Sequence, residues 1–235
     1  MKKIILTGAT SGIGLSTFNL LKENKYQVHI ISRNKEKMES LTSNSDLLSY
    51  SVCDVSKSEL LSKAVEEGIA KMKGLDVLIN NSGVGYFDPL AEGKFEDWKN
   101  MIDVNITGAF NMCHACLPEL IRNKGHIINI TSVAAHNVFP NNVVYCATKH
   151  ALMAFSKGLR LELGDKIRVT SISPGAVNTE FIDQTTNKEL LKQYKEYFKT
   201  SLNPNEIAKQ IVWSIEAPNE VLISEIIVRP NRPVS

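Results

Sequence analysis

The chain has 235 residues, which is enough for one α/β domain with a sizeable core and too few for two comfortable ones. Its composition is that of an ordinary globular protein, which excludes disordered and fibrous classes. The net charge of +2 is scattered along the chain and no apolar run reaches bilayer length, so neither nucleic-acid binding nor membrane insertion has support.

Short apolar runs alternate with longer helical patterns along the whole chain. The predicted strands are residues 4–7, 28–32, 48–52, 77–80, 126–131, 169–173 and 221–228. The predicted helices are about residues 12–24, 35–42, 57–71, 98–123, 145–163 and 204–216. Several strands are apolar on both faces, as in a parallel sheet that helices cover on both sides. We therefore predict an α/β fold: a single domain over residues 1–235, with a doubly wound, Rossmann-like parallel sheet of about seven strands.

The four cysteines and the first residues of the chain bear on its cellular compartment. The opening MKKIILTG runs directly into a glycine motif and is too short for a secretory signal, so it is predicted to be a strand. Cys113 and Cys116 have C-x-x-C spacing, but they fall in a helical pattern without a second ligand pair. We predict half-buried helix thiols, no metal site and, with Cys53 and Cys146 also free, a reducing cytoplasm.

Three glycines stand at the junction of the first strand and the first helix, in the pattern T-G-x-x-x-G-x-G formed by Gly8, Gly12 and Gly14. Glycine tolerates positive φ and lets the backbone approach a ligand closely. A strand that turns into a helix directs free N–H groups and the positive end of the helix dipole at one place. The pattern predicts a phosphate or pyrophosphate site, with glycines needed only for packing as the alternative.

The end of the second predicted strand indicates which dinucleotide binds. NAD-binding sheets usually place an acid there, whereas this chain has Ser32 and Arg33, followed by Asn34. An acid would repel a 2′-phosphate, but a hydroxyl and a guanidinium would bind it, each charged hydrogen bond contributing about 1.5–3 kcal/mol. NADP(H) is therefore favoured over NAD(H). The alternative is that Arg33 is a solvated residue at a helix start.

A candidate proton-transfer group follows in the second half of the chain. Ser132 ends the fifth predicted strand, and Tyr145 and Lys149 lie four residues apart on one face of a predicted helix. A free phenol has a pKa of about 10, too high for a base at neutral pH, and a nearby ammonium favours the phenolate. The pair suits proton transfer to or from an oxygen, although the same spacing is common on ordinary amphipathic helices.

Taken together, these motifs resemble the short-chain dehydrogenase/reductase family. The matching elements over residues 1–182 are Thr7-Gly8-x-x-x-Gly12-x-Gly14, Asn80-Asn81-Ser82-Gly83, Asn105, Ser132, Tyr145-x-x-x-Lys149 and Pro174-Gly175. Two features depart from the family pattern. Ser82 stands where alanine is usual, and the proline-containing end of the chain replaces a glycine-rich segment, as in compact members that act on small hydroxy or keto compounds.

The resemblance implies hydride transfer between NADP(H) and a small carbonyl or secondary alcohol. Tyr145 would be the acid/base, and Lys149 would bind the nicotinamide ribose and lower the pKa of Tyr145. Ser132 would hydrogen-bond the substrate oxygen, and Asn105 would hold a water in a proton relay. The implied cofactor contacts are Gly8, Thr10, Ser11, Gly12, Ile13, Gly14, Ser32, Arg33, Asn34, Asp54, Val55, Asn81, Ser82, Gly83, Tyr145, Lys149, Pro174, Gly175, Val177 and Thr179.

The resemblance also suggests a lid and an oligomer. Residues of about 180–202 are expected to be a substrate loop or lid, with an ordinary surface helix as the alternative. An apolar pocket is expected from Tyr86, Val138, Phe139 and Phe181, with His136 on the surface. The apolar helices around 101–122 and 145–163 predict a homodimer or homotetramer. An NAD-dependent dehydrogenase of the same family and a non-catalytic dinucleotide-binding sensor remain alternative functions.

Overall fold

The computed structural model describes residues 1–43 and 45–231, whose strands form one seven-stranded parallel sheet in the order β3-β2-β1-β4-β5-β6-β7. The strands are β1 (Lys3–Thr7), β2 (Gln27–Ser32), β3 (Leu48–Val52), β4 (Val77–Asn80), β5 (His126–Ile130), β6 (Arg168–Pro174) and β7 (Glu225–Val228). Strand order reverses beside β1, which pairs with both β2 and β4. The prediction of a Rossmann-like doubly wound sheet is confirmed.

Helices cover both faces of this sheet. The α-helices are α1 (Gly12–Glu23), α2 (Lys35–Thr42), α3 (Ser58–Met72), α4 (Phe95–Ile102), α5 (Gly108–Arg122), α6 (Val143–Leu163), α7 (Lys188–Lys199) and α8 (Pro204–Glu216). The alternation of side chains along β1 shows the two layers. Ile4 and Leu6 belong to the core that contains residues of α1 and α8, whereas Ile5 belongs to the core under α3, α5 and α6.

Two predicted elements were wrong in extent. The last strand begins at Glu225 rather than at residue 221, because Val221 and Leu222 are 43% and 48% exposed and precede the point where β7 pairs with β6. The predicted helix 98–123 is divided by a π-helical turn, Asp103–Thr107, that separates α4 from α5. A π-helical turn adds one residue to an otherwise continuous helix, so the helical composition of this stretch does not reveal it.

The four cysteines are free and fully buried rather than half-buried. Burial raises the pKa of each thiol, that of Cys113 to about 12, which keeps all four protonated. Among residues 1–43 and 45–231, no helix is both long and apolar enough to span a bilayer. The last four residues of the proline-containing chain end lie outside the described residues.

Candidate active site

The glycine turn between β1 and α1 leaves a helix N-terminus open. Gly8 and Gly12 have φ values of 68° and 51°, which glycine adopts without steric cost. A Cβ on Gly14 would lie 2.0 Å from the carbonyl oxygen of Gly8, so helix and strand meet in direct backbone contact. The N-cap Ser11 makes no capping hydrogen bond through its side chain, and the first turn of α1 holds no acid. The N–H groups there are therefore available to an anion such as phosphate.

The end of β4 braces this turn. The Thr7 hydroxyl accepts hydrogen bonds from the backbone N–H groups of Asn81, at 3.0 Å, and Ser82, at 2.9 Å. The Asn81 side-chain amide donates to the carbonyls of Thr7 and Gly8, at 3.0 and 3.1 Å. These bonds satisfy the carbonyl groups of Thr7 and Gly8, and the Gly8 N–H donates to the carbonyl of Ile31 at 3.2 Å.

Arg33 and Asp54 flank the far end of the cavity. Ser32, at the end of β2, lies with its hydroxyl 3.3 Å from that of Thr10. Burial alone would raise the pKa of Asp54, but hydrogen bonds from Ser56 and the charges of Arg33 and Lys57 lower it overall. The Asp54 carboxylate accepts the N–H and the hydroxyl of Ser56, at 2.9 and 2.8 Å, and the N-cap of α3 is Lys57. These groups offer a cation and polar acceptors to a phosphorylated ribose and its base.

Asn34 is not part of the cavity wall. Its side-chain oxygen accepts the N–H of Lys37 at 2.9 Å and caps α2. The same N-cap role accounts for asparagine at this position, since helix caps favour it.

Ser132, Tyr145 and Lys149 converge on one wall of the cavity. Ser132 follows β5 and caps a 3-10 turn, its hydroxyl accepting the N–H of Ala134 at 3.1 Å. Tyr145 and Lys149 lie one turn apart on α6 and are 8% and 4% exposed. The Lys149 amine donates to the carbonyl of Ile130 at 2.9 Å and lies 5.7 Å from the centre of the Tyr145 ring.

The pKa of Tyr145 differs from the one expected. Burial raises the pKa of Tyr145 above its usual value, and a hydrogen bond from Ser132 only partly opposes the rise. The expected lowering by Lys149 is therefore not seen in this structure. Phe87 and Phe181 cover the phenol, with ring centres 5.8 and 5.5 Å from its own. Burial also lowers the pKa of Lys149 to about 8, because a buried ammonium loses its hydration.

Asn105 lies in the π-helical turn, behind the cavity wall and fully buried. Its side-chain oxygen accepts the N–H of Val84 at 2.8 Å, and its amide donates to the Val84 carbonyl and the Thr148 hydroxyl, at 2.9 and 3.1 Å. Thr148 in turn donates to the carbonyl of Tyr145 at 2.8 Å. Asn105 thereby links the loop after β4 to the first turns of α6. Its predicted role as the holder of a relay water stays a prediction.

The loop after β6 closes the remaining side. Gly175 donates its N–H to the carbonyl of Val228 at 2.7 Å, and Val177 pairs with Leu202 in an isolated bridge. The Thr179 methyl group would lie 3.1 Å from a Cβ on Gly12, so this loop contacts the glycine turn directly. Pro174 also lines the cavity here.

These walls enclose a cavity of about 770 Å³, within the size range of small-molecule sites. Apart from Asn34 and Asn105, all predicted site residues line it: Gly8, Thr10, Ser11, Gly12, Ile13, Gly14, Ser32, Arg33, Asp54, Val55, Asn81, Ser82, Gly83, Ser132, Tyr145, Lys149, Pro174, Gly175, Val177 and Thr179. In the described part of the chain, no three His, Cys, Asp or Glu side chains are grouped to hold a metal ion.

Of the neighbouring aromatic residues Tyr86 and Phe87, the prediction named the wrong one as a pocket residue. Phe87 lines the cavity, whereas Tyr86 points away and accepts a hydrogen bond from Asn100 at 2.7 Å. Val138 is exposed outside the cavity, although Phe139 and Phe181 line it as predicted. The sequence did contain a signal for this choice, because phenylalanine has no polar group and suits an apolar wall, whereas the tyrosine hydroxyl needs a hydrogen-bond partner.

A polar network that the sequence did not suggest holds the turn carrying Ser132. The His136 ring nitrogen Nε2 lies 3.0 Å from the Ser173 hydroxyl and 2.8 Å from the Glu225 carboxylate. Ser173 also lies 2.8 Å from the hydroxyl of Thr131, next to Ser132. His136 is on the surface, as predicted, and its contacts join this turn to β6 and β7.

Comparisons with known proteins agree with this arrangement. A family model described as short chain dehydrogenase matches residues 2–190. A protein described as an uncharacterized oxidoreductase, from Staphylococcus saprophyticus, is 39% identical over 98% of this chain and 96% of its own.

Solved structures with this fold carry both kinds of cofactor. An alcohol dehydrogenase from the archaeon Thermococcus sibiricus, complexed with 5-hydroxy-NADP, matches with a TM-score of 0.88 and 27% identity over 100% of both chains. A closed serine dehydrogenase complexed with NADP⁺ matches with a TM-score of 0.88 and 32% identity, over 97% of this chain and 94% of that one. A 3-ketoacyl-(acyl-carrier-protein) reductase from Brucella melitensis, complexed with NADH, shares the fold at 24% identity, with a TM-score of 0.87 over 99% and 98% of the chains.

Replacing Lys149 with methionine is expected to stabilise the cofactor-free protein at pH 7 by about 1–3 kcal/mol. The folded-state pKa of about 8 lies below the unfolded value of 10.5, so the buried ammonium costs stability below pH 8. That cost declines as the pH rises from 8 to 10.5, and the advantage of Lys149→Met should decline with it. Urea unfolding at pH 7 and pH 9.5 measures both effects.

Lys157→Met is the matched control, since Lys157 is an exposed residue of the same helix. Its free energy of unfolding should change by less than about 0.5 kcal/mol. A Lys149→Met protein less stable than wild type at pH 7 would contradict the expected cost of the buried charge.

Proposed function

The chain belongs to the short-chain dehydrogenase/reductase family, and we propose that it is an NADP(H)-dependent oxidoreductase that interconverts a carbonyl and a secondary alcohol on a small molecule. One observation carries the proposal: Ser132, Tyr145 and Lys149 lie on the wall of the same cavity that begins at the open N-terminus of α1. An anion site and a proton-transfer group in one cleft suit a phosphorylated cofactor beside a reacting carbonyl.

The residues present fit a dinucleotide along the length of the cavity. The glycine turn, where Gly14 leaves no room for a Cβ, would hold the pyrophosphate. Ser32 and Arg33 would bind the 2′-phosphate, with Asp54 and Val55 beside the adenine. Lys149 would bind the nicotinamide ribose, and the loop from Pro174 to Thr179 would contact the nicotinamide. When bound, NADPH supplies the hydride that reduces the carbonyl carbon.

The chain's own residues would supply the proton and hold the oxygen. The Ser132 hydroxyl, oriented by the N–H of Ala134, would donate a hydrogen bond to the substrate oxygen. The raised pKa keeps the Tyr145 phenol protonated at neutral pH, which is the state needed to give its proton to that oxygen during reduction. In the oxidative direction the charge of Lys149 would favour loss of the phenolic proton.

Residues 180–202 are proposed to form a lid. Thr179, which immediately precedes this segment, contacts the glycine turn. Within the segment, the ring centre of Tyr194 on α7 lies 5.2 Å from that of Phe87. Exclusion of water on closure would strengthen the electrostatic interactions at Tyr145. Four buried free thiols support a cytoplasmic location.

Tyr145→Phe should lower kcat/KM for carbonyl reduction by roughly 10²–10⁴-fold, the usual contribution of a positioned general acid. NADPH affinity should stay within about threefold, because phenylalanine keeps the ring contacts with Phe87 and Phe181. NADPH oxidation at 340 nm and fluorescence titration measure the two quantities.

Tyr26→Phe is the control for this variant, since the Tyr26 hydroxyl contacts only Glu216 among its described partners and lies outside the cavity wall. Undiminished turnover in Tyr145→Phe would overturn the proposed acid. Tight NADPH binding by the wild type without turnover of any ketone or aldehyde would favour the sensor function.

Arg33→Asp should reverse the cofactor preference, weakening NADPH by at least about tenfold and strengthening NADH. The new carboxylate would repel the 2′-phosphate and accept hydrogen bonds from the ribose hydroxyls. Lys37→Asp makes the same charge change on α2 away from the cavity and should leave both dissociation constants nearly unchanged. Unaltered NADPH affinity in Arg33→Asp would contradict the proposed role of Arg33, and a lower dissociation constant for NADH than for NADPH in the wild type would favour an NAD-dependent enzyme.

A homodimer or homotetramer is proposed from the outer face of α5 and α6. Phe110 remains 38% exposed, and its ring stacks on that of Phe155 with the centres 4.2 Å apart. Met112 and Leu152 of the same helices lie in the core, whereas Phe110 does not. The protein core therefore leaves part of the apolar surface of these two helices uncovered. A second copy would bury the remaining rings.

Light scattering after size exclusion should therefore give at least twice the mass of one chain. Phe110→Glu should shift the protein towards single chains, because two charges would face each other at the contact. Phe95→Glu, at an exposed aromatic of α4, is the control. A wild-type mass equal to one chain would contradict the proposal.

A further inference from the structure

Aromatic rings surround the proposed acid on the substrate side of the cavity. The Tyr145 ring meets those of Phe87 and Phe181 edge to face, with centres 5.8 and 5.5 Å away. Tyr194 of α7 extends the cluster, its ring centre 5.2 Å from that of Phe87. Phe198 follows one turn later on the same helix and also lines the cavity. Aromatic rings therefore form the wall next to Tyr145, and the cavity lining also includes the amides of Asn141, Asn142, Gln184 and Gln193.

Phe181 is held in this cluster by its surroundings. Its N–H is bonded to the Thr179 hydroxyl at 3.4 Å, and the next residue, Ile182, is buried in the core. A Cβ on Gly85 would lie 2.6 Å from Cε1 of Phe181, so the absence of a side chain at residue 85 makes room for the ring. Phe181 is partly exposed and lines the cavity, which makes it a wall that a substrate touches.

The charged residues on the described cavity wall lie in different surroundings. Arg33 and Asp54 interact with each other at the ends of β2 and β3, and the proposed function assigns the Lys149 ammonium, which donates to the Ile130 carbonyl, to the nicotinamide ribose. The remaining charged residue of the described wall is Glu180, next to Phe181 on the same 3-10 turn. A carboxylate there repels an anionic substrate, and aromatic rings give an anionic group no hydrogen bond to replace its water.

We infer that the substrates of this site are uncharged ketones or aldehydes with an aryl or branched alkyl group beside the carbonyl, and that Phe181 is the residue that selects them. This inference rests on the proposed function, because it places the carbonyl at Tyr145. The apolar group would contact Phe181 and the rings around it. An α-keto acid, whose carboxylate adjoins the carbonyl, would be excluded.

Three ketones test the inference: ethyl benzoylformate, its acid benzoylformate, and ethyl pyruvate. The first two differ by a carboxylate, and the first and third by a phenyl group. We expect kcat/KM with NADPH to be at least about 100-fold higher for ethyl benzoylformate than for benzoylformate, since burying an unpaired charge costs several kcal/mol. The NADP⁺-bound protein cannot reduce the ketones, because the oxidised cofactor has no hydride to give. Calorimetric titration of this complex with each ketone therefore measures the same preference as a difference in binding affinity.

Phe181→Ala should raise KM for ethyl benzoylformate about tenfold and change that for ethyl pyruvate less than about threefold, because only the phenyl group reaches the ring. Phe181→Leu keeps most of the apolar bulk and should restore part of the loss. Gly85→Ala, which displaces the ring, should also weaken ethyl benzoylformate. Phe95→Ala, at an exposed aromatic outside the cavity, should alter none of these values.

Three outcomes would overturn the inference: benzoylformate bound or reduced as well as its ester, equal losses for both esters in Phe181→Ala, or no binding of either ester to the NADP⁺-bound protein. Binding of ethyl benzoylformate in preference to its acid, without reduction of any carbonyl, would uphold the ligand class and reject the proposed enzyme. The two hypotheses therefore fail separately.

Discussion

The backbone contact between Gly14 and Gly8 is the constraint on which the site depends. Since a Cβ on residue 14 would be 2.0 Å from the Gly8 carbonyl oxygen, glycine allows the first turn of α1 to pack directly against the end of β1. The same carbonyl accepts the amide of Asn81, which fixes the end of β4. That position brings Gly83 beside Lys149, where a Cβ would lie 3.6 Å from the amine. The anion cradle and the proton-transfer group thus share one set of contacts.

Burial acts on the phenol and the amine in the same sense, since it favours the neutral form of each. It raises the pKa of Tyr145 and lowers that of Lys149 to about 8. The rings that cover the Tyr145 phenol, those of Phe87 and Phe181, precede and follow α6 in the sequence and meet only in the fold. The local spacing of tyrosine and lysine therefore indicates the candidate proton-transfer groups but not the pKa values that the fold gives them.

Much of the fold was predictable because six strands are short apolar runs with clear ends, and most of the motif residues follow those ends directly. The errors have physical causes. Val221 and Leu222 have the composition of a strand but precede the residues that pair with β6. The π-helical turn around Asn105 keeps a helical pattern while adding a residue to one turn. Asn34 stands next to the cofactor motif but serves as a helix cap.

The central place of β1 also has a consequence for synthesis of the chain. Both neighbours of this strand, β2 and β4, come later in the sequence, and β4 ends at Asn80. At roughly 5–20 residues added per second, the edge that β4 will cover stays unpaired on the ribosome for several seconds after β1 emerges. That edge presents unpaired backbone N–H and C=O groups, while Ile5 on one face and Ile4 and Leu6 on the other are apolar. Until β4 is synthesised, one backbone edge of β1 therefore has no partner strand, although both of its edges are paired in the finished sheet.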